Sequence, residues 1–504
     1  MYLGGDAVRE RHAGPGSRQF HGWVSLDRRL SVLTLAAALF FLWPLLVYGR
    51  PAYIQDSAAY YKGGRAAVTF VLGKIEHRDA VSPAAQTGAI PPASPAASAT
   101  SDGKPEVRGA RAVSYSLAAY VFGAPNAQMW LLAAVQAIAA GFACAVTLLL
   151  FAGDTRGLWW RLAALAVATP VAFVSCLVIP DIFAGIVVLL ITLLTTAYQK
   201  LSAGVRTLSV LIAAAGIAFH ASHLPIGLGM TGTAMAWLAW LTLRKSRPPR
   251  GQWALVAAPF LLGAAATVIL NFAAFGGPSL TGKRYPLTLA RSVAEGPGKW
   301  YLEKNCAHLR YAVCEVYPHG VPGTINSFLW GPTGVKERAT PEQMDRIRAE
   351  ESDVVLAATR AYPLTEARLV AVSFARQLFL FSPGVGLENR IVVDANGDPQ
   401  LAPATYDRTW VTLVHLLSIA GVIAAIVLLY RRFRADRSIG PMISLVIAGI
   451  VFNDAVCTYF SGVTDRYEAR VIWLVPLLAL AMLARNEPRG GAIPDASPAG
   501  PAHK

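Results

Sequence analysis

Apolar residues in this chain fall into long runs that are separated by polar stretches. A run of about 18 apolar residues is long enough to cross the hydrocarbon core of a bilayer as a helix. The runs lie at residues 30–48, 127–151, 162–179, 182–198, 207–223, 225–243, 253–275, 410–430, 439–460 and 467–484. We therefore predict an all-α polytopic membrane protein with about ten transmembrane helices.

The polar stretches divide the chain into parts. Residues 80–104 are rich in Ala, Pro and Ser, a composition typical of a flexible insert. The predicted parts are, in order, an N-terminal tail (1–29), seven spans (30–275) that include a long outer loop (49–126), a helical outer domain (276–408), three further spans (409–484) and a disordered tail (485–504).

Two local patterns predict helices in the 276–408 segment. Thr340-Pro-Glu-Gln343 combines a capping Thr, a Pro in the first turn and a Gln three residues after the cap, which is typical of a helix start. A second helix is predicted over 364–381. Its apolar side chains, which we expect to face a membrane or a core, are Leu369, Val372, Phe379 and Leu380.

The distribution of charge predicts the orientation of the chain in the membrane. Only 15% of the residues are charged, whereas soluble domains typically have about 25%. Basic residues accumulate in cytoplasmic loops. Lys and Arg total 20 in residues 1–29, 152–161, 199–206, 244–251, 431–438 and 485–504, which we place inside with both termini. The net charge of +15 is then mostly an orientation signal, and no nucleic-acid partner is expected.

The five cysteines fall into two groups. Three lie in apolar runs, where packed thiols are expected. Cys306 and Cys314 lie close together in the polar outer segment, and a close pair in an oxidising compartment favours a disulfide. The alternative is a metal site with His308 or His319, although no further His/Cys cluster supports it.

Ionisable side chains converge on the predicted outer face. Such groups at membrane depth are costly and are functional-site hypotheses by default. They are Asp56, Arg65, Arg111, Asp181, His220, His223, Lys283, Arg284, Asp465, Arg466 and Arg470.

Asp56 is the candidate general base. Asp56 and Tyr60 lie one turn apart on a helix face, and a carboxylate near apolar walls can accept a proton. The alternative is a solvated loop acid or a helix cap.

The basic residues are candidates for binding a phosphate. Arg466 and Arg470 are also one turn apart, so both guanidinium groups could contact one phosphate. Asp465 and Glu468 could instead neutralise them. Arg111 suits a phosphate as well, or could serve as an interfacial anchor.

His220, His223 and Asp181 have open roles. The two imidazoles are three residues apart and could bind a metal, but two ligands do not make a site, so no metal site is assigned. Hydrogen bonding to a lipid phosphate and simple packing are the alternatives. Asp181 follows Pro180 in a minimal turn and needs a partner from elsewhere, either for function or for structure.

Two segments carry a resemblance to a known family. Asp56-Ser-Ala-Ala-Tyr60 with Gly64-Arg65, and Arg111-Ala-Val-Ser-Tyr115 running into the second span, resemble the GT-C superfamily of integral-membrane glycosyltransferases. A retained first span and a large outer loop late in the chain are similar too. The terminal Asp465-Arg-Tyr-Glu-Ala-Arg470 segment looks like those of bacterial members.

The resemblance implies an inverting glycosyltransferase of a bacterial inner membrane, with its site facing the periplasm. It implies a polyprenyl-phosphate sugar as donor, a glycan, lipid or protein of the envelope as acceptor, and Asp56 as base. Arg466, Arg470, Arg111, Lys283 and Arg284 would hold the donor phosphate. The supporting residues would be Tyr60, Arg65, Asp181, His220, His223 and Asp465. No cofactor is required by this chemistry, and dependence on a divalent metal is open.

Three alternatives stay open. An O-antigen-type polysaccharide polymerase or ligase would depend on His220, His223 or His319 more than on Asp56. A lipid or sugar transporter would place charges at the bilayer midplane and often has an inverted repeat, which the sequence does not show. The third alternative is a non-catalytic membrane scaffold.

Overall fold

Helices make up most of this computed structural model, which describes residues 24–79, 111–123, 127–151, 157–395 and 397–483. The predicted insert at 80–104, the tail at 485–504 and residues 1–23 of the N-terminal tail lie outside the described residues. The helices up to residue 275 are α1 (Arg28–Phe41), α2 (Trp43–Tyr48), α3 (Gln55–Asp79), α4 (Val113–Gly123), α5 (Trp130–Phe151), α6 (Leu158–Val167), α7 (Val171–Cys176), α8 (Ile182–Thr196), α9 (Ala203–Phe219), α10 (His223–Leu243) and α11 (Arg250–Phe275).

The middle segment contains short helices and one hairpin, and three helices complete the bundle. The middle elements are α12 (Leu287–Glu295), α13 (Pro297–Asn305), α14 (Ala312–Val316), α15 (Ile325–Leu329), α16 (Val335–Arg338), α17 (Pro341–Ala361), α18 (Pro363–Gln377), β1 (Asn389–Val393) and β2 (Pro399–Pro403). The last helices are α19 (Thr409–Ala435), α20 (Gly440–Phe460), α21 (Asp465–Ile472) and α22 (Leu474–Met482).

The long apolar helices of the structure support the prediction of an α-helical membrane protein. Six candidate spans are long and apolar enough to cross a membrane: Arg28–Tyr48, Trp130–Phe151, His223–Leu243, Arg250–Phe275, Thr409–Ala435 and Arg437–Phe460. Four shorter apolar helices accompany them: Val113–Gly123, Leu158–Val167, Ile182–Thr196 and Ala203–Phe219. A total of ten spans therefore remains a prediction.

The predicted span at 162–179 is interrupted in the structure. Helix α6 ends before Thr169-Pro170, and α7 ends at Cys176. Proline cannot continue the hydrogen-bond ladder of the preceding helix. The chain after α7 is extended, and Leu177 forms a parallel bridge with Ala52. The interruption thus creates a backbone edge inside the bundle.

Within the middle segment, residues 285–355 form a separate apolar core. Leu289, Phe328, Met344 and Val354 are among its fully buried side chains. The predicted helix start at Thr340 is confirmed, because Thr340 and Gln343 form a reciprocal capping box. We call residues 276–408 the cap domain, and the end of the bundle against which it packs the cap end.

Three further features of the cap domain answer the sequence predictions. The Cys306–Cys314 disulfide is present. The predicted second helix is α18, which ends at Gln377, earlier than expected, and leaves Val372 and Phe379 exposed on the protein surface. Strands β1 and β2 form an antiparallel hairpin that the helical interpretation missed.

Candidate functional site

The start of α3, which carries Asp56, is held by two separate parts of the chain. The Ala52 N–H donates to the Cys176 carbonyl at 3.0 Å, and the Val178 N–H donates to the Ala52 carbonyl at 3.0 Å. The Tyr53 N–H donates to the Gly386 carbonyl at 3.0 Å. The interrupted helix and the cap domain therefore fix where α3 begins.

A buried polar chain links this edge to α3. Gln136 Nε2 donates to the carbonyl oxygens of Ser175 at 2.9 Å and Leu177 at 3.0 Å, which no longer have helical partners. The Tyr115 hydroxyl donates to Gln136 Oε1 at 2.6 Å. Tyr115 in turn packs edge-on against Tyr60, with ring centroids 4.7 Å apart. Buried polar groups of this kind need partners, and here each Gln136 group has one.

Asp56 lies in the first turn of α3 and is paired with Arg111. The Arg111 Nη2 group donates to Asp56 Oδ1, and both side chains are largely buried. An acid in the first turn is favoured by the helix dipole. Oδ1 is occupied by the arginine, and Oδ2 remains for a second donor. The structure thus joins the two segments on which the family resemblance rests.

Asp56 and Arg111 open onto a cavity of about 2320 Å³ at the cap end. That volume exceeds the ~300–1,000 Å³ typical of small-ligand pockets. Two kinds of surface line it. The charged lining residues are Asp56, Lys62, Arg111, Lys283, Arg284, Lys336 and Arg466. The apolar part, from α10 and α11, includes Leu224, Leu228, Phe260, Leu270 and Phe275, and we call it the apolar trough.

Arg466 faces this cavity from the start of α21. Its Nη2 group donates to the Tyr467 hydroxyl at 3.2 Å, and its Nη1 group lies 3.8 Å from Asp181. Asp56 and Arg466 both line this cavity.

Arg470 does not join Arg466 at the cavity. It is fully buried and donates to Asp181 at 3.1 Å and to Asn453 at 2.8 Å. Asp181 is equally buried, so the partner that its turn position required is Arg470. These two residues hold α21 against the bundle rather than contacting a ligand.

The other predicted residues separate into lining and structural positions. His220 lines the cavity and bonds Ser222 through Nδ1 at 2.7 Å. His223 is buried, with Nδ1 at 2.7 Å from the Gly216 carbonyl. Asp465 accepts from the Ser382 N–H at 3.0 Å, which ties α21 to the chain after α18. Arg65 pairs with Asp398 at 2.8 Å and ties α3 to the hairpin.

Lys283 and Arg284 enter the cavity from the cap domain, and each has an acidic partner on α17. Lys283 lies 3.2 Å from Asp345, and Arg284 lies 2.7 Å from Glu351. Glu351 also accepts from the backbone N–H groups of Thr288 and Leu289 at the start of α12. No sequence signal singled out Glu351, because its partners lie more than 60 residues earlier.

Among the residues that the structure describes, no group of three or more His, Cys, Asp or Glu side chains could hold a metal ion. The fold and the site define an α-helical membrane protein with a large, mainly apolar cavity that also carries cationic side chains and is lined in part by a small cap domain. Comparison of the chain with protein-family models, curated proteins and solved structures finds no match.

Proposed function

We propose that the protein is an inverting glycosyltransferase that moves a sugar from a polyprenyl-phosphate donor to an acceptor. The observation that carries the proposal is the cavity, which combines an apolar trough with Asp56, Arg111 and Arg466 at its polar end. A lipid-linked sugar has the same division into a long apolar chain and a charged head. The proposal includes the orientation predicted from charge, with the cavity on the periplasmic side of a bacterial inner membrane.

The donor occupies both parts of the cavity. Its isoprenoid chain lies in the trough formed by α10 and α11, where Leu228 and Phe260 present apolar surface. Its phosphate lies near Arg466, whose guanidinium can offer a charge-assisted bond. Arg470 is left out of the phosphate site because its donors are used inside the bundle.

The transfer step uses Asp56 as base. Asp56 takes the proton from an acceptor hydroxyl, and that oxygen forms a bond to the anomeric carbon from the face opposite the phosphate. The bond between the anomeric carbon and the phosphate oxygen breaks, and its electron pair stays on the lipid phosphate. Arg466 stabilises the charge that develops there. Arg111 orients the Asp56 carboxylate through Oδ1.

The test is sugar release from a radiolabelled undecaprenyl-phosphate sugar by purified protein in nanodiscs. We expect Asp56→Asn to lose about 100-fold or more in rate, the usual contribution of a positioned base. Glu303→Gln is the matched control, since Glu303 lies on the exposed side of α13 and pairs with Lys299, and neither residue lines the cavity. Full activity in Asp56→Asn would remove Asp56 as the base.

His220 supports a second candidate function because it lines the same cavity. A polymerase or ligase acting on lipid-linked glycans would use this imidazole in place of the carboxylate. In the same assay, loss of activity in His220→Ala together with retained activity in Asp56→Asn would favour that function.

A further inference from the structure

The polar end of the cavity has a second wall that the donor does not use. The transfer chemistry places Asp56, Arg111 and Arg466 on the bundle side. The cap domain lines the cavity with Tyr285 and Trp330, which we call the Tyr285–Trp330 wall, and with Lys336. Lys62 lines the same cavity from α3, six residues after Asp56.

Tyr285 and Trp330 form a rigid aromatic surface. Their rings meet edge-to-face with centroids 4.5 Å apart, and both side chains are half-buried. Such residues offer a large apolar area together with a polar tip at low cost in side-chain entropy. A pyranose ring has one face of C–H groups and a rim of hydroxyls, so it matches an aromatic surface that is surrounded by hydrogen-bond donors.

Most of the charged side chains that line the cavity are positive. Asp56 is the only acid among the described residues that line the cavity, against six Lys and Arg side chains. Lys62 has no ion-pair partner within the described part of the chain. Within the described residues, the ion-pair partner of Lys336 is Glu337, at 3.4 Å, and both side chains are about half-exposed. One donor phosphate leaves these two lysines unused.

The wall and the proposed base line the same cavity. Burial raises the pKa of the Tyr285 hydroxyl, and the positive charges of Lys336 and Arg111 act against that shift. Arg111 is the residue that holds Asp56. A sugar resting on Tyr285 and Trp330 would therefore place a hydroxyl toward the Asp56 carboxylate.

We propose that the Tyr285–Trp330 wall binds the acceptor, and that the acceptor is an anionic sugar whose carboxylate or phosphate is held by Lys62 and Lys336. This inference rests on the proposed transfer function and names the chemical class of its second substrate. Tyr285 and Trp330 bind the sugar ring, and Lys62 and Lys336 favour a negatively charged sugar over a neutral one.

Binding is measured by saturation-transfer NMR with full-length protein in nanodiscs. The carboxylate probe is tetragalacturonate, compared with its methyl ester, and the phosphate probe is glucose 6-phosphate, compared with glucose. We expect at least one anionic probe to bind about tenfold more tightly than its neutral counterpart, a difference that one charge-assisted contact can supply. The arm that shows the preference identifies the anion. Equal affinity within both pairs, or no binding of either anion, would overturn the proposal.

Variants assign the effect to the wall. Lys62→Ala with Lys336→Ala should remove the preference for the anion, whereas Lys336→Arg should keep it. The control with the same charge change is Lys299→Ala with Lys304→Ala, two lysines on α13 that do not line the cavity. Trp330→Ala should weaken neutral and anionic probes alike. Asp56→Asn should still bind the anion, so failure of the transfer chemistry is distinguishable from failure of the acceptor site. An unchanged preference in the double lysine variant would contradict the assignment.

Discussion

Arg470 Nη1 donates to Asp181 at 3.1 Å, and both side chains are excluded from solvent. The two residues are 289 positions apart, so the bond joins the start of α8 to α21. α21 also carries Arg466, which lines the cavity. The buried Arg470–Asp181 pair therefore sets the position of Arg466.

Removing the Asp181 charge should destabilise the whole bundle. Asp181→Asn removes the ion-pair partner of the fully buried Arg470 guanidinium, a loss that typically costs ~3–5 kcal/mol. Asp345→Asn should cost at most ~1 kcal/mol, because it breaks only ion pairs made by a half-exposed side chain. Thermal unfolding of both variants in the same detergent checks this. Equal melting temperatures for the two variants would show that the buried pair is not a structural link.

Gly64 should tolerate no side chain. A Cβ there would lie 2.0 Å from the Ser116 carbonyl oxygen and 2.7 Å from Tyr120 Cβ, so α3 and α4 would have to separate. Because α3 carries Asp56 and Arg111 lies two residues before α4, we expect Gly64→Ala to lose ~1–3 kcal/mol of stability and most of the activity.

Gly63→Ala is the control for this prediction. Its Cβ would lie 3.2 Å from the Ser116 hydroxyl, which can rotate, and at an ordinary contact distance of 3.6 Å from Ser116 Cβ. Both substitutions improve helix propensity equally, by up to ~1 kcal/mol. Unfolding temperature and sugar release are compared for the pair. If Gly63→Ala and Gly64→Ala behave alike, the close approach of the two helices is not what aligns the site.

The cysteines should react in two groups. Cys306 and Cys314 are joined, whereas Cys144, Cys176 and Cys457 are free thiols. Denatured protein treated with iodoacetamide should therefore gain three adducts without reductant and five after reduction. Intact-mass spectrometry measures the adducts. Cys314→Ser should destabilise the cap domain by ~2–4 kcal/mol. Five adducts without reductant would show that the pair is reduced.

The stability of the cap domain should depend on Glu295. Burial raises the pKa of the Glu295 carboxyl, and this outweighs the opposing charge of Arg291, which is also shared with Glu366. The folded state then binds a proton more tightly than the unfolded state. The resulting stabilisation is present below the ordinary pKa of about 4.3 and is lost as pH rises through the raised value.

Glu295→Gln removes this titration. The free energy of unfolding of wild-type protein, relative to that of the variant, should fall as pH rises from 4 past the ordinary pKa of the Glu295 carboxyl. Chemical unfolding followed at several pH values measures the difference. Glu303→Gln, on the exposed side of α13, is the control, and its stability should depend on pH in the same way as that of wild type. A difference between wild type and Glu295→Gln that does not change with pH would contradict the prediction.

Local sequence patterns predicted the structural features that depend on residues close together in the sequence. The helix start at Thr340 follows from a cap and a residue three positions later, and the Cys306–Cys314 bond joins residues eight positions apart. The hairpin had a readable signal as well, because an Asn-Gly pair at 396–397 is typical of a turn between two strands. Its strands were missed because the helical interpretation was extended over the whole segment.

Long-range pairings could not be predicted in the same way. Asp56 finds Arg111 at a distance of 55 residues, and Arg470 finds Asp181 at 289. On sequence alone Arg466 and Arg470 are equivalent candidates for binding a phosphate. They lie one turn apart on α21, and each has an acidic residue nearby. Burial separates them, and burial depends on how the bundle packs around each position. The interruption at Thr169-Pro170 was likewise hidden inside a continuous apolar run.

The anchoring of α3 has a consequence for biosynthesis. The residues just before it, Ala52 and Tyr53, are held by the backbone of Cys176 and Val178 and by that of Gly386. A ribosome adds these parts in order, so a nascent chain carries Asp56 long before the segments that position it exist. Arg466 is made later still. The proposed active centre is therefore assembled only after α21 has been made, and chains truncated before α21 should be inert.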